Sequence, residues 1–472
     1  MPILSKNSIL VPTICAILLL LLLLLITGIM PYEHQHHLRF IAEAGEEGPC
    51  IDYSQTENTI TINCNASFLD VVQTMNDPDI VENIGDGEYI LNANLEVADG
   101  VTFEMTSNDN SDLQYLKIAD ENGIIVFGKI LINGVKITSW DASDNDVIQQ
   151  NSDGSIRRAY IRFDASEGSQ IINSEFAYLG YQEQGRRGFD LWGSDASYSG
   201  EGSSHDMQIR GSKFHDMWFA FYSRGAYNIV VDGNEYYNNI KYALDPHSGT
   251  HNMSITNNYL HHNPIGAICS DRCYNILIEG NRVEHNKDYG IFFSRNTHDS
   301  IARNNQIYNA TIGIMVSESP NNQIYDNTIE AVTSQGIRLQ NPATPDDGGF
   351  TENNLVYHNT IISSGEGIGA TRSRDNILEN NRFSDIESGE YILSGDSSII
   401  IRGQQFDNYL IAEEGSAPSN LVEIVDSGTI EVVEGETDGG EEDDEGDLYN
   451  TDSEPCRRTL SDGDSITVNS SS

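Results

Sequence analysis

Residues 227–239, 251–263 and 274–286 read YNIVVDGNEYYNN, HNMSITNNYLHHN and YNILIEGNRVEHN. Each stretch has a polar residue in second place, an aliphatic pair two residues apart, and Asn six residues after the first polar residue. The frame continues through HDSIARNNQIYNA at 298–310, NNQIYDNTIEAV at 321–332 and NNLVYHNTIISS at 353–364. Its leading residues are Asn228, Asn252, Asn275, Asp299, Asn321, Asn353 and Asp375, and its later asparagines are Asn234, Asn258, Asn281, Asn305, Asn327, Asn359 and Asn381. Both series step by 24, 23, 24, 22, 32 and 22, the long step reflecting the insertion NPATPDDGG at 341–349.

A period near 23 suits a leucine-rich repeat or one coil of a β-helix. The leucine-rich frame does not recur. Apolar positions instead alternate, as at Ile276 and Ile278 or Ile291 and Phe293, and a period of two means short strands. Glycine before an aliphatic residue (Gly290-Ile291, Gly313-Ile314, Gly336-Ile337) marks a bend that opens the next strand. The expectation is an all-β, right-handed parallel β-helix with coils about 4.8 Å apart, aliphatic residues stacked inward and asparagines in hydrogen-bonded ladders. ILINGVKITSW at 130–140, SQIINSEF ending at Phe176 and MQIRGSKF ending at Phe214 extend the pattern toward the N-terminus. The expected organisation is an anchor or signal at 1–31, a β-rich cap at 32–100, the β-helix at 101–403, a C-terminal cap at 404–433 and a disordered acidic tail at 434–472. Open solenoid ends expose unpaired backbone, hence the caps. EGETDGGEEDDEGDLYN, from Glu434, has too little apolar content to build a core.

With 72 acidic and 26 basic residues the chain carries a net charge of −46, a field that repels nucleic acid. No nucleotide-binding glycine motif is present. Ile9 to Met30 is an apolar run of 22 residues behind Lys6, long enough for a transmembrane helix, which needs about 20. An uncleaved anchor with the body outside the membrane is favoured over a cleaved signal that would release a secreted protein. Outside the cell Cys50 and Cys64, which bracket a short β-like stretch, could pair, and so could Cys269 and Cys273. Cys456 is then left over. No cysteine has zinc-ligand spacing. No cofactor is required; calcium is the ion that an acidic surface could take up, although no calcium-binding nonapeptide repeats.

One coil breaks its own pattern. Aligned on the leading residues, Ser223, His247, Ser270 and Ser294 share a column, Arg224, Ser248, Asp271 and Arg295 the next, and Phe221, Asp245, Ile268 and Phe292 the one two places earlier. Tyr242-Ala-Leu-Asp-Pro-His247 thus puts a histidine where its neighbours have serine and a carboxylate where they are apolar. Asp245 and His247 are two apart and share a face in a strand. Removing a proton beside a sugar carboxylate requires that carboxylate to be neutralised, for which arginine is suited. It also requires a base, and histidine serves near neutral pH. Tyr242 could act on the opposite face of the sugar, but its parity with His247 is odd, so a bend must intervene. Trp218, Tyr242 and Tyr289 form an aromatic column that is either wall stacking or a platform for sugar rings.

The stretches ILINGVKITSWD, FAYLGY, FAFYS, YYNNIKYALDPHSGTHNMSITNN and SRNTHDSIARNNQIYN, in that order across roughly residues 85–385, resemble mannuronan C5-epimerases. The resemblance implies conversion of mannuronate to guluronate within an anionic polysaccharide. It points to Tyr242, Asp245 and His247 as the Y-x-x-D-P-H motif, His247 being the acid/base. It places carboxylate-neutralising and substrate-contacting residues on neighbouring coils, for which Arg224, Asp271, Arg272, Arg295, Tyr289 and Phe292 are the candidates. Ser248 follows His247 where bacterial members commonly carry an acid. The next coil reads Ser270-Asp271-Arg272 in place of S-R-E, with Ser294-Arg295 one coil later. The neutralising residue therefore stays open among Asp271, Arg272 and Arg295. Two other readings compete: a polysaccharide lyase, which begins with the same proton abstraction, and a non-catalytic surface protein that binds glycans. A glycosidase would need paired carboxylates, for which only Asp271 stands near Asp245.

Overall fold

The computed structural model describes residues 48–107, 113–192, 202–342, 349–394 and 397–403. It also describes the strands Leu410–Glu413, Asn420–Val425, Ile430–Gly435, Cys456–Leu460 and Ser465–Val468. The apolar run 9–30 lies outside these residues. Among the described residues no helix is long and apolar enough to cross a membrane.

The strands stack in parallel into three long sheets, each coil contributing a strand to each sheet. In-register columns show why the repeat works. Leu244, Ala267, Ile291, Ile314, Ile337 and Ile368 lie one above another in the first sheet. Val231, Ile255, Ile278, Ala302, Ile324 and Val356 do so in the second. Tyr236, Leu260, Val283, Ile307, Ile329 and Ile361 do so in the third. All point into one continuous core, where a buried aliphatic side chain contributes roughly 1.5–3 kcal/mol. The earlier coils join the same columns, with Ile137 against Phe176 and Phe176 against Phe214.

The corners explain the polar half of the repeat. The leading residues, Asn228 through Asp375, are exposed and left-handed, with φ between 51° and 58°, a conformation that Asn and Asp tolerate best after Gly. The later asparagines form a buried ladder. Each side-chain amide from Asn234 to Asn359 donates to the next Oδ1 at 2.9–3.1 Å. Two further ladders, Asn239–Asn263–Asn286 and Asn322–Asn354–Asn376, occupy the other corners. Gly290 shows what the recurring glycine does: a Cβ there would lie 2.7 Å from Gly313 O and from Ile307 Cγ2.

The N-terminal end is closed by the antiparallel pair Ile51–Ser54 and Thr59–Ile62 and by the helix Phe68–Met75. Ser67 caps that helix in a reciprocal box with Asp70, and Phe68 and Val71 are buried against the first coils. Parallel stacking already begins inside the stretch assigned to the cap, where Thr59–Ile62 pairs with Asn94–Val97. Cys50 and Cys64 are both disulfide-bonded. Cys269 and Cys273, in contrast, are free and buried: Cys269 points into the core, and the Cys273 thiol donates to Ser270 O.

At the other end, Leu410–Glu413, Asn420–Val425 and Ile430–Gly435 continue the parallel stack. Cys456–Leu460 and Ser465–Val468 then pair antiparallel with the last coils. The tail expected to be disordered therefore contains two closing strands, which supply the pairing that an exposed sheet edge needs. The acidic run at 436–455, ahead of these two strands, lies outside the described residues.

Candidate active-site wall

The strand Tyr242–His247 belongs to the first sheet. Leu244 joins the core, so Asp245 and His247 face outward on either side of inward-facing Pro246. Ala243 and Leu244 are consecutive and both fully buried in the core. Strand alternation breaks between them, and this bend brings Tyr242 to the outer face with the other two.

Register corrects the column alignment by one residue. Arg224, not Ser223, stands opposite His247, and Tyr222, not Phe221, stands opposite Asp245. Above, His247 pairs with Ser270 and Ile268 with Phe292. The slip arises because the turn from His247 to His251 is one residue longer than the turn from Arg224 to Tyr227.

Asp245 is almost fully buried, 3 % exposed, and its Oδ1 lies 3.4 Å from His247 Nδ1. Burial pushes the Asp245 carboxyl above its ordinary value, while His247 and Arg187 pull it back. A proton shared between Nδ1 and Asp245 would leave Nε2 of His247 open to the wall, and the imidazole lies tilted against the Tyr222 ring at 5.5 Å. Tyr242 is half-buried, edge-on to Phe219 at 5.1 Å. Burial raises its pKa first and the charges of Asp245 and Asp288 add to that, whereas Arg295 lowers it, so Arg295 acts on the Tyr242 hydroxyl across two coils.

Asp271 and Arg272 lie together on the turn above His247, in consecutive left-handed conformations with φ 60° and 64°. Arg272 donates to Asp271 Oδ1 from Nε at 3.0 Å and Nη2 at 2.7 Å, and the Ser248 hydroxyl donates to Oδ2 at 2.8 Å. Burial opposes the Asp271 charge, but Arg272 and Ser248 hold its pKa below the ordinary carboxylate range. Asp271 is thus an ionised partner of Arg272 and is poorly suited to share a proton with a sugar acid. Arg224 lies over the Trp192 ring at 5.2 Å. Tyr289 and Phe292 touch at 4.9 Å and extend the wall upward as an apolar shelf with Ile268 and Met315. The aromatic column is interrupted: Ile265 separates Tyr242 from Tyr289, and Trp218 is buried, packed so closely that a Cβ on Gly154 would strike it.

Below His247 the wall carries groups that the repeat did not reveal. Arg162, Asp190, Tyr222 and Asp245 form one outward column. Asp190 is fully buried; desolvation raises its carboxyl to about 6, even with Arg187 and Arg162 nearby. The Arg187 guanidinium lies 3.9 Å from the centre of the Tyr222 ring. The sequence signal was a carboxylate inside the apolar strand GFDLW, the same kind of irregularity that exposed Asp245. Further along the turns, Glu167, His205 and Asp206 bring one ligand atom each within 4.8 Å of one another, a grouping that could take a cation.

The right-handed β-helix region model matches residues 199–344. A mannuronan C5-epimerase of Pseudomonas aeruginosa is 27% identical over 190 residues, 38% of this chain and 33% of that protein. One from Azotobacter vinelandii is 27% identical over 183 residues, 37% of this chain and 33% of the relative. The chain thus matches about a third of the length of these curated relatives. The crystal structure of the periplasmic alginate epimerase AlgG superposes with a TM-score of 0.58 at 20% identity, covering 72% of this chain and 85% of that one. The resemblance read from the sequence is supported by these relatives, and the fold by the structure.

Proposed function

We propose that this parallel β-helix, similar over its central coils to mannuronan C5-epimerases, inverts C5 of mannuronate residues in an extracellular polyuronate. The observation that supports the reading is the outward pair of His247 and Asp245 at 3.4 Å on the strand that carries Tyr242, with Asp271 and Arg272 on the turn above and the Arg295 charge acting on the Tyr242 hydroxyl.

A uronate bound across the wall presents its carboxylate to Arg272 or Arg295, which lowers the cost of the enolate-like charge that develops as C5 loses its proton. His247 Nε2 takes that proton. Tyr242, brought to the same face by the Ala243–Leu244 bend, returns a proton from the opposite side of the ring. A lyase would instead expel the O4 substituent from the same intermediate. Phe292 and Tyr289 give the sugar rings above the reacting residue an apolar surface, and Arg224 gives those below a cation. Basic side chains gathered on one wall suit a polyanion in a protein of net charge −46. The disulfide-bonded Cys50 and Cys64 suit an oxidising compartment outside the cytoplasm, where the apolar run 9–30 would tether the body.

The test is incubation of the full chain with polymannuronate in deuterated water, read by proton NMR. Guluronate bearing deuterium at C5 is expected, with His247→Ala reducing the rate by about 10²–10⁴-fold. Unsaturated chain ends absorbing in the ultraviolet would assign a lyase. Unchanged polymer across a panel of uronans would overturn the catalytic reading in favour of a glycan-binding wall.

A further inference from the structure

We propose that Arg187, whose guanidinium lies against the Tyr222 ring in register below Asp245, is a positioning residue of this site that helps Asp245 hold the reactive tautomer of His247. The effect on turnover rests on the isomerase reading above; the electrostatic link itself does not.

Asp245 has no cation on its own strand. Tyr242 and His247 are its titratable neighbours there, and the coil above brings the buried thiols Cys269 and Cys273 toward it. From the coil below come Tyr222, directly in register, and the buried Asp190. Arg224, on the strand of Tyr222 but in register with His247, lies over the Trp192 ring, and beside His247 itself Arg187 is the cation that favours the Asp245 charge. The Arg187 backbone N–H donates to Asp190 Oδ2 at 2.9 Å, its guanidinium lies against the Tyr222 ring at 3.9 Å, and its charge favours ionisation of both Asp190 and Asp245. Arg187 Nη1 and Asp190 Oδ1 are buried with no hydrogen-bond partner among the described residues. A fold that only needed packing here would leave no such groups unsatisfied, because each costs free energy. Asp190 and Asp245 therefore compete for one guanidinium.

The direct reading is the carboxyl ¹³C titration of Asp245 in the full chain, assigned by loss of its resonance in Asp245→Asn. Arg187→Gln is expected to move the midpoint up by about one unit or more, and Arg187→Lys by less than half as much. Asp190→Asn should move it down, since Arg187 then faces one carboxyl. This opposite shift keeps the idea testable should Arg187→Gln fail to fold. In turnover of polymannuronate, Arg187→Gln is expected to shift the acid limb of kcat/KM upward, with about tenfold lower activity at pH 6 and recovery at higher pH, and Arg187→Lys to restore it. A structural role alone would lower activity equally at all pH values. An unmoved Asp245 midpoint in Arg187→Gln and Asp190→Asn overturns the proposal. Shifted midpoints in a chain that converts no uronan would uphold the link while removing the isomerase reading.

Discussion

The two sides of each coil solve opposite problems with similar residues. At the corner between the second and third sheets, Asn258, Asn281, Asn305 and their neighbours are buried, repeated and fully hydrogen-bonded. On the first sheet, Asp190 and Asp245 are also buried and Arg187 partly so, but they do not repeat, and Arg187 and Asp190 each hold a buried atom without a partner among the described residues. A satisfied polar ladder stabilises and specifies the solenoid; an unsatisfied polar wall stores potential for a ligand or a reaction. The contrast separates stability from function within one coil.

The sharpest way to break this comparison is at the corner. Asn281 accepts from both the backbone and side-chain nitrogens of Asn258, and its own amide donates to Ile255 O and Asn305 Oδ1. Asn281→Ala leaves the Asn258 N–H and the Ile255 carbonyl buried and unpaired, an expected loss of roughly 3–5 kcal/mol. Ser294→Ala, beside the wall strand Tyr289–Phe293, should change stability by no more than about 1 kcal/mol. Urea unfolding of the two variants measures the difference; similar losses would show that wall and corner are not energetically distinct.

The same contrast governs what could be read from the sequence. The corner was legible because identical residues must recur to hydrogen-bond to themselves, and the later asparagines do so at the expected spacing. The ladder of Asn239, Asn263 and Asn286 is equally periodic, five residues after the first, but it closes only the first three repeats, the same place holding Ala310, Val332 and Ser364 in the coils that follow. The wall was partly legible. Asp245 and His247 stood out against serine and apolar neighbours, but Arg187, Asp190 and Tyr222 lie in earlier coils where turn lengths vary. A single extra residue between His247 and His251 displaced the column alignment and exchanged inward for outward positions, as a one-residue slip must in a strand. Register depends on turn lengths that only the folded chain displays. Cys269 and Cys273 are close in sequence, yet Cys269 points into the core and both remain free.

A second prediction concerns the wall. Asp190, at about 6 against an ordinary 3.8, holds its proton longer in the folded chain than in the unfolded one. The folded state binds more protons between those values, so stability falls as pH rises through them. Asp190→Asn removes that dependence. Between pH 4 and pH 7 the wild type should lose on the order of 2–3 kcal/mol relative to the variant, as read from unfolding midpoints at the two pH values. A constant difference would mean that the buried carboxyl is already compensated and that the wall is no more strained than the corner.

The smallest effect is expected on the third sheet, where a carboxylate of similar origin has been satisfied. Glu175 accepts from Lys136 at 2.8 Å and faces His215 Nε2 at 3.4 Å. The His215 bond lowers the Glu175 carboxyl most, burial opposes it, and Lys136 completes the shift to about 2. Burial disfavours the His215 charge, but Asp216 and Glu175 together hold its pKa above the ordinary value. The signs then differ between the partners. A depressed carboxyl stabilises the fold above its unfolded value of 4.5, a contribution lost as pH falls from there toward 2. A raised imidazole stabilises below 6.5, a contribution lost as pH rises through its folded value. Glu175→Gln should therefore cost most near pH 5, where both charges are present, and least near pH 2. Because the Glu175 side chain is about a third exposed, solvent screening limits the cost to on the order of 1 kcal/mol. The two carboxyls thus respond oppositely to removal of their charge at neutral pH: the wall gains stability and the third sheet loses it. A matching sign for Asp190→Asn and Glu175→Gln would dissolve the distinction between a face built to stand and a face built to act.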